Sequence, residues 1–158
     1  MSENTTPAID RTIYPMPMFA TFHVADVAAA EAFYQAVGFI TLATIPAADG
    51  STALIHLRRM RYQDLLLVPG TPVRGSTTVS FAAGGADLFA LATTLGAVAP
   101  RGAHIGGPAD TAWFTTDLTI DDPDGNRIIL TAFRESELAD AQEWARENII
   151  DGDSVIKN

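Results

Sequence analysis

Five residues near the C-terminal end, Asp122-Pro123-Asp124-Gly125-Asn126, separate two runs of strand-forming residues, Thr115–Asp121 and Arg127–Phe133. Asp122 can accept backbone N–H bonds at the first position of a type I turn, and Pro123 fixes φ at the second position. Gly125 supplies the backbone freedom that re-entry into a strand needs. The segment therefore predicts a tight hairpin that joins the last two strands of a sheet.

The composition is that of a globular domain and excludes several kinds of partner. Hydrophobic residues make up 47% of the 158 residues and charged residues 18%, a balance typical of a chain with a packed core. The net charge of −9 disfavours binding to nucleic acids or to anionic membranes, and no apolar run is long enough to span a membrane. The absence of cysteine excludes disulfides and thiolate metal sites. We expect a cytoplasmic protein.

The first half of the chain is predicted to contain a strand, a helix and three further strands. Side chains alternate in character from Met18 to Val24, Asp26 is placed as a helix N-cap, and Gly38 is placed where the helix ends. The next three strands are predicted at Phe39–Ile45, Thr52–Arg58 and Tyr62–Val68. Two prolines before Met18 prevent regular pairing, so the N-terminal residues are predicted to form an extended arm.

The second half repeats this order of elements. We predict a strand at Thr77–Ala82, a helix at Asp87–Leu95 ended by Gly96, a short strand at Ala97–Arg101, a loop at Gly102–Asp110, and then the two strands of the hairpin. Gly96 follows Gly38 by 58 residues, and this internal duplication predicts two βαβββ modules in an α+β fold.

A terminal helix is predicted beyond the second module, over Ser136–Ile149. Its spacing gives one docking face, which consists of Leu138, Ala141, Trp144, Ala145 and Asn148 or Ile149.

The segment in which DPDGN lies between a strand and a second strand that reads Arg-Ile-Ile-Leu resembles the closing hairpin of the vicinal oxygen chelate superfamily. This superfamily includes glyoxalase I, extradiol dioxygenases, fosfomycin-resistance enzymes and bleomycin-resistance proteins. The resemblance covers roughly residues 18–133. It implies one domain of two βαβββ modules, 18–70 and 76–133, whose mixed sheets curl around a cleft. The extended arm, 1–17, precedes this domain, and a C-terminal helix and acidic tail, 134–158, follow it. The alternative fold is a ferredoxin-like α+β sandwich.

Enzymes of this superfamily hold one divalent ion with His, Glu or Gln side chains on four strands. Carried over by motif, the four positions hold Phe19, Thr77, Ile129 and Leu65, and a slip of one residue would place Asp64 at the last position. Phe and Ile offer no lone pair, and a neutral Thr hydroxyl is a poor metal ligand. We therefore expect no metal and no other cofactor.

These four positions also indicate which residues of each strand would face the cleft, because successive side chains of a strand point to opposite faces. Aromatic rings with a few polar groups are typical of a pocket for an organic molecule, although the same side chains could instead fill a collapsed half-barrel. Trp113, Thr115, Asp117 and Thr119 share one face, which the sequence does not assign to either side. The predicted ligand-binding residues are Phe19, Thr21, His23, Gln63, Leu65, Thr77, Phe81, Trp113 and Ile129.

The charged residues around the third and fourth strands are interpreted as structural. His56, Arg58, Arg59 and Arg61 are assigned to a solvated hairpin, and Asp64 is expected to pair with one of the arginines.

Three functions follow from the resemblance. The favoured one is a metal-free homodimer that sequesters a small organic molecule, aromatic or cationic, such as an antibiotic. The second is a glyoxalase-, lyase- or dioxygenase-like enzyme whose ligands are relocated or whose chemistry needs no metal. The third is a scaffold or regulatory dimer with a filled cleft.

Overall fold

The computed structural model describes residues 8–148. Within that range its elements are β1 (Ala20–Val24), α1 (Val27–Val37), β2 (Ile40–Pro46), β3 (Thr52–Arg58), β4 (Asp64–Pro69), β5 (Thr78–Ala82), α2 (Leu88–Val98), β6 (His104–Asp110), β7 (Thr115–Asp121), β8 (Arg127–Phe133), a short 3₁₀ helix (Glu135–Glu137) and α3 (Leu138–Asn148). None of these helices is long and apolar enough to cross a membrane.

The strands form two mixed four-stranded sheets of the same design. Sheet A has the order β1-β4-β3-β2 and sheet B the order β5-β8-β7-β6. In each sheet the first strand pairs in parallel with the fourth, and the other neighbours are antiparallel. The predicted α+β fold of two βαβββ modules followed by a C-terminal helix is therefore confirmed.

Each sheet has one face covered by a helix. α1 packs on sheet A and α2 on sheet B, and the two helices also contact each other. The buried side chains form one core that spans both modules, and the largest of them include Tyr34, Phe22, Leu67, Leu118 and Ile128. We call the face of each sheet that lies opposite to α1 or α2 the open face.

The first helix has the predicted capping residues. Asp26 accepts a hydrogen bond from the Ala29 N–H at 3.0 Å. Gly38, at φ +120°, donates to the Tyr34 and Gln35 carbonyls. This positive φ suits glycine, because it lacks the Cβ that penalises other residues there.

The hairpin residues join the two modules through a buried carboxylate. Asp122 has no exposed surface. Its Oδ1 accepts the Asp124 and Asn126 N–H groups at 2.9 Å each, and its Oδ2 accepts the Tyr34 hydroxyl at 2.7 Å. Asn126 Nδ2 donates to Asp122 Oδ2 and to the His23 carbonyl, at 3.0 Å each. The turn that closes module two is thus also a contact with β1 and α1.

Three predictions for the second module were wrong. Gly96 lies inside α2, which continues to Val98, so no strand forms at residues 97–101. Residues 104–110 form β6, whereas a loop was expected there. A shift of register between Gly106 and Ala109 accommodates Gly107 and Pro108 within the strand, and this bulge makes a segment with loop-like composition compatible with a sheet edge.

The segments outside the two modules pack against them. Residues 8–19 lie over part of the open face of sheet A, where the backbone of Asp10 and Thr12 accepts hydrogen bonds from Arg58. Helix α3 buries Ala141 and Ala145 of the predicted docking face, and its Trp144 ring contacts Phe114 edge-on at 6.2 Å. Ile149 lies outside the described residues.

Candidate functional site

The open face at β1 presents three of the predicted ligand-binding residues to solvent. Phe19, Thr21 and His23 alternate with three residues whose side chains are buried under α1. Phe19 is 46% exposed. The His23 ring lies against Gly70, where an added Cβ would be 3.1 Å from His23 Cδ2, so a larger residue at Gly70 would crowd the ring.

One end of this face is closed by a buried ionic cluster. Arg58 donates to Asp64 through Nε at 2.6 Å and Nη2 at 2.8 Å. His56 Nε2 lies 2.7 Å from Asp64 Oδ2. The ring of Tyr14 covers the Arg58 guanidinium at 4.0 Å, and Phe19 contacts His56 edge-on at 5.7 Å. The expected pairing of Asp64 with an arginine is confirmed.

The assignment of His56 and Arg58 to a solvated hairpin was wrong. Both side chains are buried, and Arg58 has no exposed surface. The N-terminal arm covers them, and this contact joins residues more than forty positions apart. The Asp64 carboxylate pairs with Arg58 because a buried charge must be paired and hydrogen-bonded.

The open face of sheet B is rich in hydroxyl groups. Its members lie opposite to the buried residues of β5, β7 and β8, and they include Thr78, Ser80, Thr115, Asp117, Thr119, Asp121, Arg127, Ile129 and Thr131. The face of β7 that the sequence did not assign is therefore the open one.

Asp117 is a half-buried carboxylate on this surface. Its Oδ1 accepts the Thr115 hydroxyl at 2.9 Å and the Thr131 hydroxyl at 2.7 Å. Its Oδ2 binds no other described residue. By contrast, Arg127 donates twice to Asp121, at 2.7 and 3.0 Å, and these bonds hold the pKa of Asp121 below its ordinary value. Asp121 is thus already paired, and Asp117 is the better candidate for a cationic group.

Several predicted site residues lie elsewhere. Leu65 and Phe81 are on the helix-covered faces, and the Phe81 ring contacts Phe39 at 6.2 Å. Gln63 is buried and donates to the Ala82 carbonyl at 2.8 Å. Thr77 precedes β5, and its carbonyl accepts the Arg127 N–H. Leu65 and Phe81 belong to the core, Gln63 joins the modules, and Thr77 bonds within module two, so none of the four lies on an open face.

Two predicted residues are accessible. Ile129 lies on the open face of sheet B, opposite Ser80. Trp113 is 60% exposed and lies in the turn before β7.

The errors in the positions assigned to Thr77 and Leu65 come from the spacing and pairing of the strands. The helix N-caps, Asp26 and Asp87, are 61 residues apart, since 87 minus 26 is 61, whereas the glycine spacing had suggested 58. Counted from the N-caps, Ser80 and not Thr77 corresponds to Phe19. In β4 the residue that shares the open face with Phe19 is Asp64, because Ala20 pairs with Leu65.

The superfamily's divalent ion does not fit these residues. Phe19, Ser80 and Ile129 provide no strong ligand, and Asp64 is already paired with Arg58. His56 binds Asp64, and His104 lies 3.8 Å from Asp121. Among residues 8–148, no three His, Asp or Glu side chains are grouped so that they could hold a metal ion.

Comparisons with known proteins identify the fold. No protein-family model matches the chain, and no curated protein matches it. Among solved structures, a bleomycin resistance determinant encoded on the transposon Tn5 is similar over 75% of this chain and 98% of its own, with a TM-score of 0.57 and 16% identity. The chain has the fold of the vicinal oxygen chelate superfamily.

Other solved structures of this fold extend the comparison. TnmS3, an antibiotic binding protein from Streptomyces sp. CB03234, is 28% identical over 76% of this chain and 96% of its own, with a TM-score of 0.54. Lactoylglutathione lyase from Agrobacterium tumefaciens is 22% identical over 73% of this chain and 91% of its own, also with a TM-score of 0.54. The superfamily fold thus occurs in both binding proteins and an enzyme, and function must be argued from the site.

Proposed function

We propose that this protein binds a small organic molecule on the open faces of its sheets and that binding needs no metal ion. The supporting observation is the open face of β1. The other side of this strand is packed under α1, while Phe19, Thr21 and His23 remain accessible. An accessible ring beside hydrogen-bonding side chains is the composition of an organic-ligand site.

The side chains favour a planar ligand with a cationic group. Phe19 offers a stacking surface, and His23 and Thr21 offer hydrogen bonds. On sheet B, Asp117 Oδ2 can accept a bond from a cation, and the net charge of −9 attracts cations at longer range. Two proteins of the same fold, an antibiotic binding protein and a bleomycin resistance determinant, support the coarser proposal of a small organic ligand.

We also propose that the site is completed in a homodimer. Large apolar side chains remain exposed on the described part of the chain, including Met18, Phe19 and Trp113. A second copy would cover part of this surface and would enclose a ligand held on the open faces. Light scattering at micromolar concentration should give twice 16.8 kDa. A monomer at that concentration would contradict the shared site.

The test is a titration with planar aromatic antibiotics and dyes. Phe19→Ala should weaken binding about tenfold, because the variant loses ring stacking and buried apolar area. Phe89→Ala is the matched control, since Phe89 is exposed on α2 and not on an open face. Saturable binding that Phe19→Ala does not weaken would show that the ligand binds elsewhere on the protein.

A second variant separates binding from metal-dependent catalysis. Phe19→His introduces the ligand type that the enzymes carry, but Ser80 and Ile129 remain, so we expect no stoichiometric metal by elemental analysis. One tightly held ion per chain in the unaltered protein, or turnover of a ketoaldehyde–thiol adduct or a catechol, would favour the enzyme instead.

A further inference from the structure

A cavity lies outside the open faces, beside the N-terminal arm. Its volume is about 1110 Å³, slightly above the range of roughly 300–1,000 Å³ that is usual for small-molecule pockets. Its walls come from the arm, the turn between β3 and β4, the end of α1 and the loop that leads into α2. Both modules therefore contribute to it.

The cavity is lined by two guanidinium groups, Arg59 and Arg61, and neither forms a salt bridge with a carboxylate among the described residues. Arg59 donates to four neutral acceptors, which are Gln63 Oε1 at 2.9 Å, the Ala82 carbonyl at 3.1 Å, the Ala83 carbonyl at 2.7 Å and Met60 Sδ at 3.6 Å. Burial lowers the pKa of Arg59, which means that its charge is poorly compensated. Arg58, Arg127 and Arg134, by contrast, each pair with a carboxylate.

Arg61 holds its guanidinium beside the aromatic wall of the cavity. The group lies 4.7 Å from the centre of the Tyr62 ring and donates to the Tyr62 hydroxyl at 2.8 Å. Tyr14 meets Tyr62 edge-on at 5.7 Å, and its hydroxyl accepts the Tyr62 N–H at 3.1 Å. Tyr62 has φ +65°, which is an outlier for a bulky residue. The turn with this conformation bonds Tyr14 of the arm through the Tyr62 N–H, and the two tyrosine rings together form the aromatic wall of the cavity.

One carboxylate also lines the cavity. Asp10 accepts the Thr12 N–H at 2.9 Å and the Thr12 hydroxyl at 2.7 Å. Two guanidiniums and one carboxylate leave the lining with an excess of one positive charge, in a protein whose net charge is −9. Apart from Thr12, whose hydroxyl donates to Asp10, the rest of the lining is aromatic, apolar or glycine.

We propose that this cavity binds a planar aromatic carboxylate. The carboxylate would accept charge-assisted bonds from Arg61 and compensate the charge of Arg59, and the ring would pack against the tyrosine wall. The site is distinct from the open faces, so it stands independently of the proposed function. Its preference for an anion is also the opposite of the one expected at Asp117.

The experiment is calorimetric titration of the full chain with 1-naphthoate and its neutral isostere 1-naphthamide. Naphthoate should bind with one site per chain and at least tenfold more tightly than the amide. Arg61→Gln should weaken naphthoate binding about tenfold and leave the amide unchanged. Arg101→Gln is the matched control, because Arg101 is exposed and does not line the cavity.

Two further variants assign the site. Ala86→Phe should weaken naphthoate binding, because the added ring would occupy part of the cavity, and circular dichroism would verify that this variant folds. Phe19→Ala should have no effect. Equal binding of the acid and the amide, or naphthoate binding that is unaffected by both Arg61→Gln and Ala86→Phe, would overturn the proposal. Loss of naphthoate binding in Phe19→Ala alone would place the anion on the open face and also overturn it.

Discussion

Asp122 shows how one residue can serve a turn and a module contact at once. Its carboxylate accepts two backbone N–H groups of its own turn, one side-chain amide and the Tyr34 hydroxyl from α1. Burial, reinforced by the Asp122 charge, raises the pKa of Tyr34, so the phenol remains a donor. A buried charge with this many donors is stabilising, whereas the same charge with a donor removed is costly.

Tyr34→Phe should therefore destabilise the protein by about 1.5–3 kcal/mol, the range for a hydrogen bond to a charged group. The measurement is urea denaturation at pH 7, and Tyr62→Phe is the control because the Tyr62 hydroxyl is at an exposed site. The control should change stability by less than about 0.5 kcal/mol. Equal effects in the two variants would show that the Tyr34–Asp122 bond contributes no special stabilisation.

The N-terminal arm is the element whose position depends most on a single side chain. Arg58 donates through Nη1 to the carbonyls of Asp10 at 2.8 Å and Thr12 at 2.7 Å, and through Nε and Nη2 to Asp64. Tyr14 packs on the same guanidinium. The arm and the open face of sheet A are thus held together by one buried cation.

Arg58→Ala should cost about 3–5 kcal/mol, because it leaves the Asp64 charge buried without its arginine. It should also release the arm, so that trypsin cleaves after Arg11 at least tenfold faster. Tyr14→Ala should give a smaller increase in cleavage while the fold remains intact. Arg101→Ala is the control, because Arg101 is exposed and is not among the residues that bond the arm. Unchanged cleavage in both Arg58→Ala and Tyr14→Ala would contradict this role.

The elements that the sequence predicted well are those with local signals. The N-cap Asp26, the terminal Gly38 and the turn at Asp122 each act through neighbours within a few residues, so their consequences can be derived from the chain alone. The order of elements in module one and the strands of the hairpin follow from these signals. The duplicated fold follows from the repeated order.

The parts that could not be predicted depend on contacts distant in sequence. Pairing with β1 and β3 decides which residues of β4 face the core. An alignment error of one residue therefore assigned Leu65, which lies in the core, to the predicted cleft. The burial of Arg58 requires the arm, more than forty residues away. Strand β6 needed a bulge at Gly107 that composition alone does not indicate.

At the scale of the whole molecule, the two modules share one core. Phe39 of module one contacts Phe81 of module two at 6.2 Å, and α1 contacts α2. Asn126 donates to the His23 carbonyl, and Gln63 donates to the Ala82 carbonyl. Two halves with their own cores would unfold separately, but a continuous core couples their opening.

We therefore expect the central strands of both modules to exchange their amide hydrogens only through global unfolding. The opening free energies of β4 and β8 amides, measured by hydrogen exchange, should agree within about 0.5 kcal/mol and should fall equally with added denaturant. Tyr34→Phe provides the internal control, because its side chain lies in module one and its hydrogen-bond partner in module two. The variant should lower both values by the same amount. If β8 opened with a smaller free energy than β4, or if Tyr34→Phe lowered only one of them, the modules would be separate folding units joined by a weak contact.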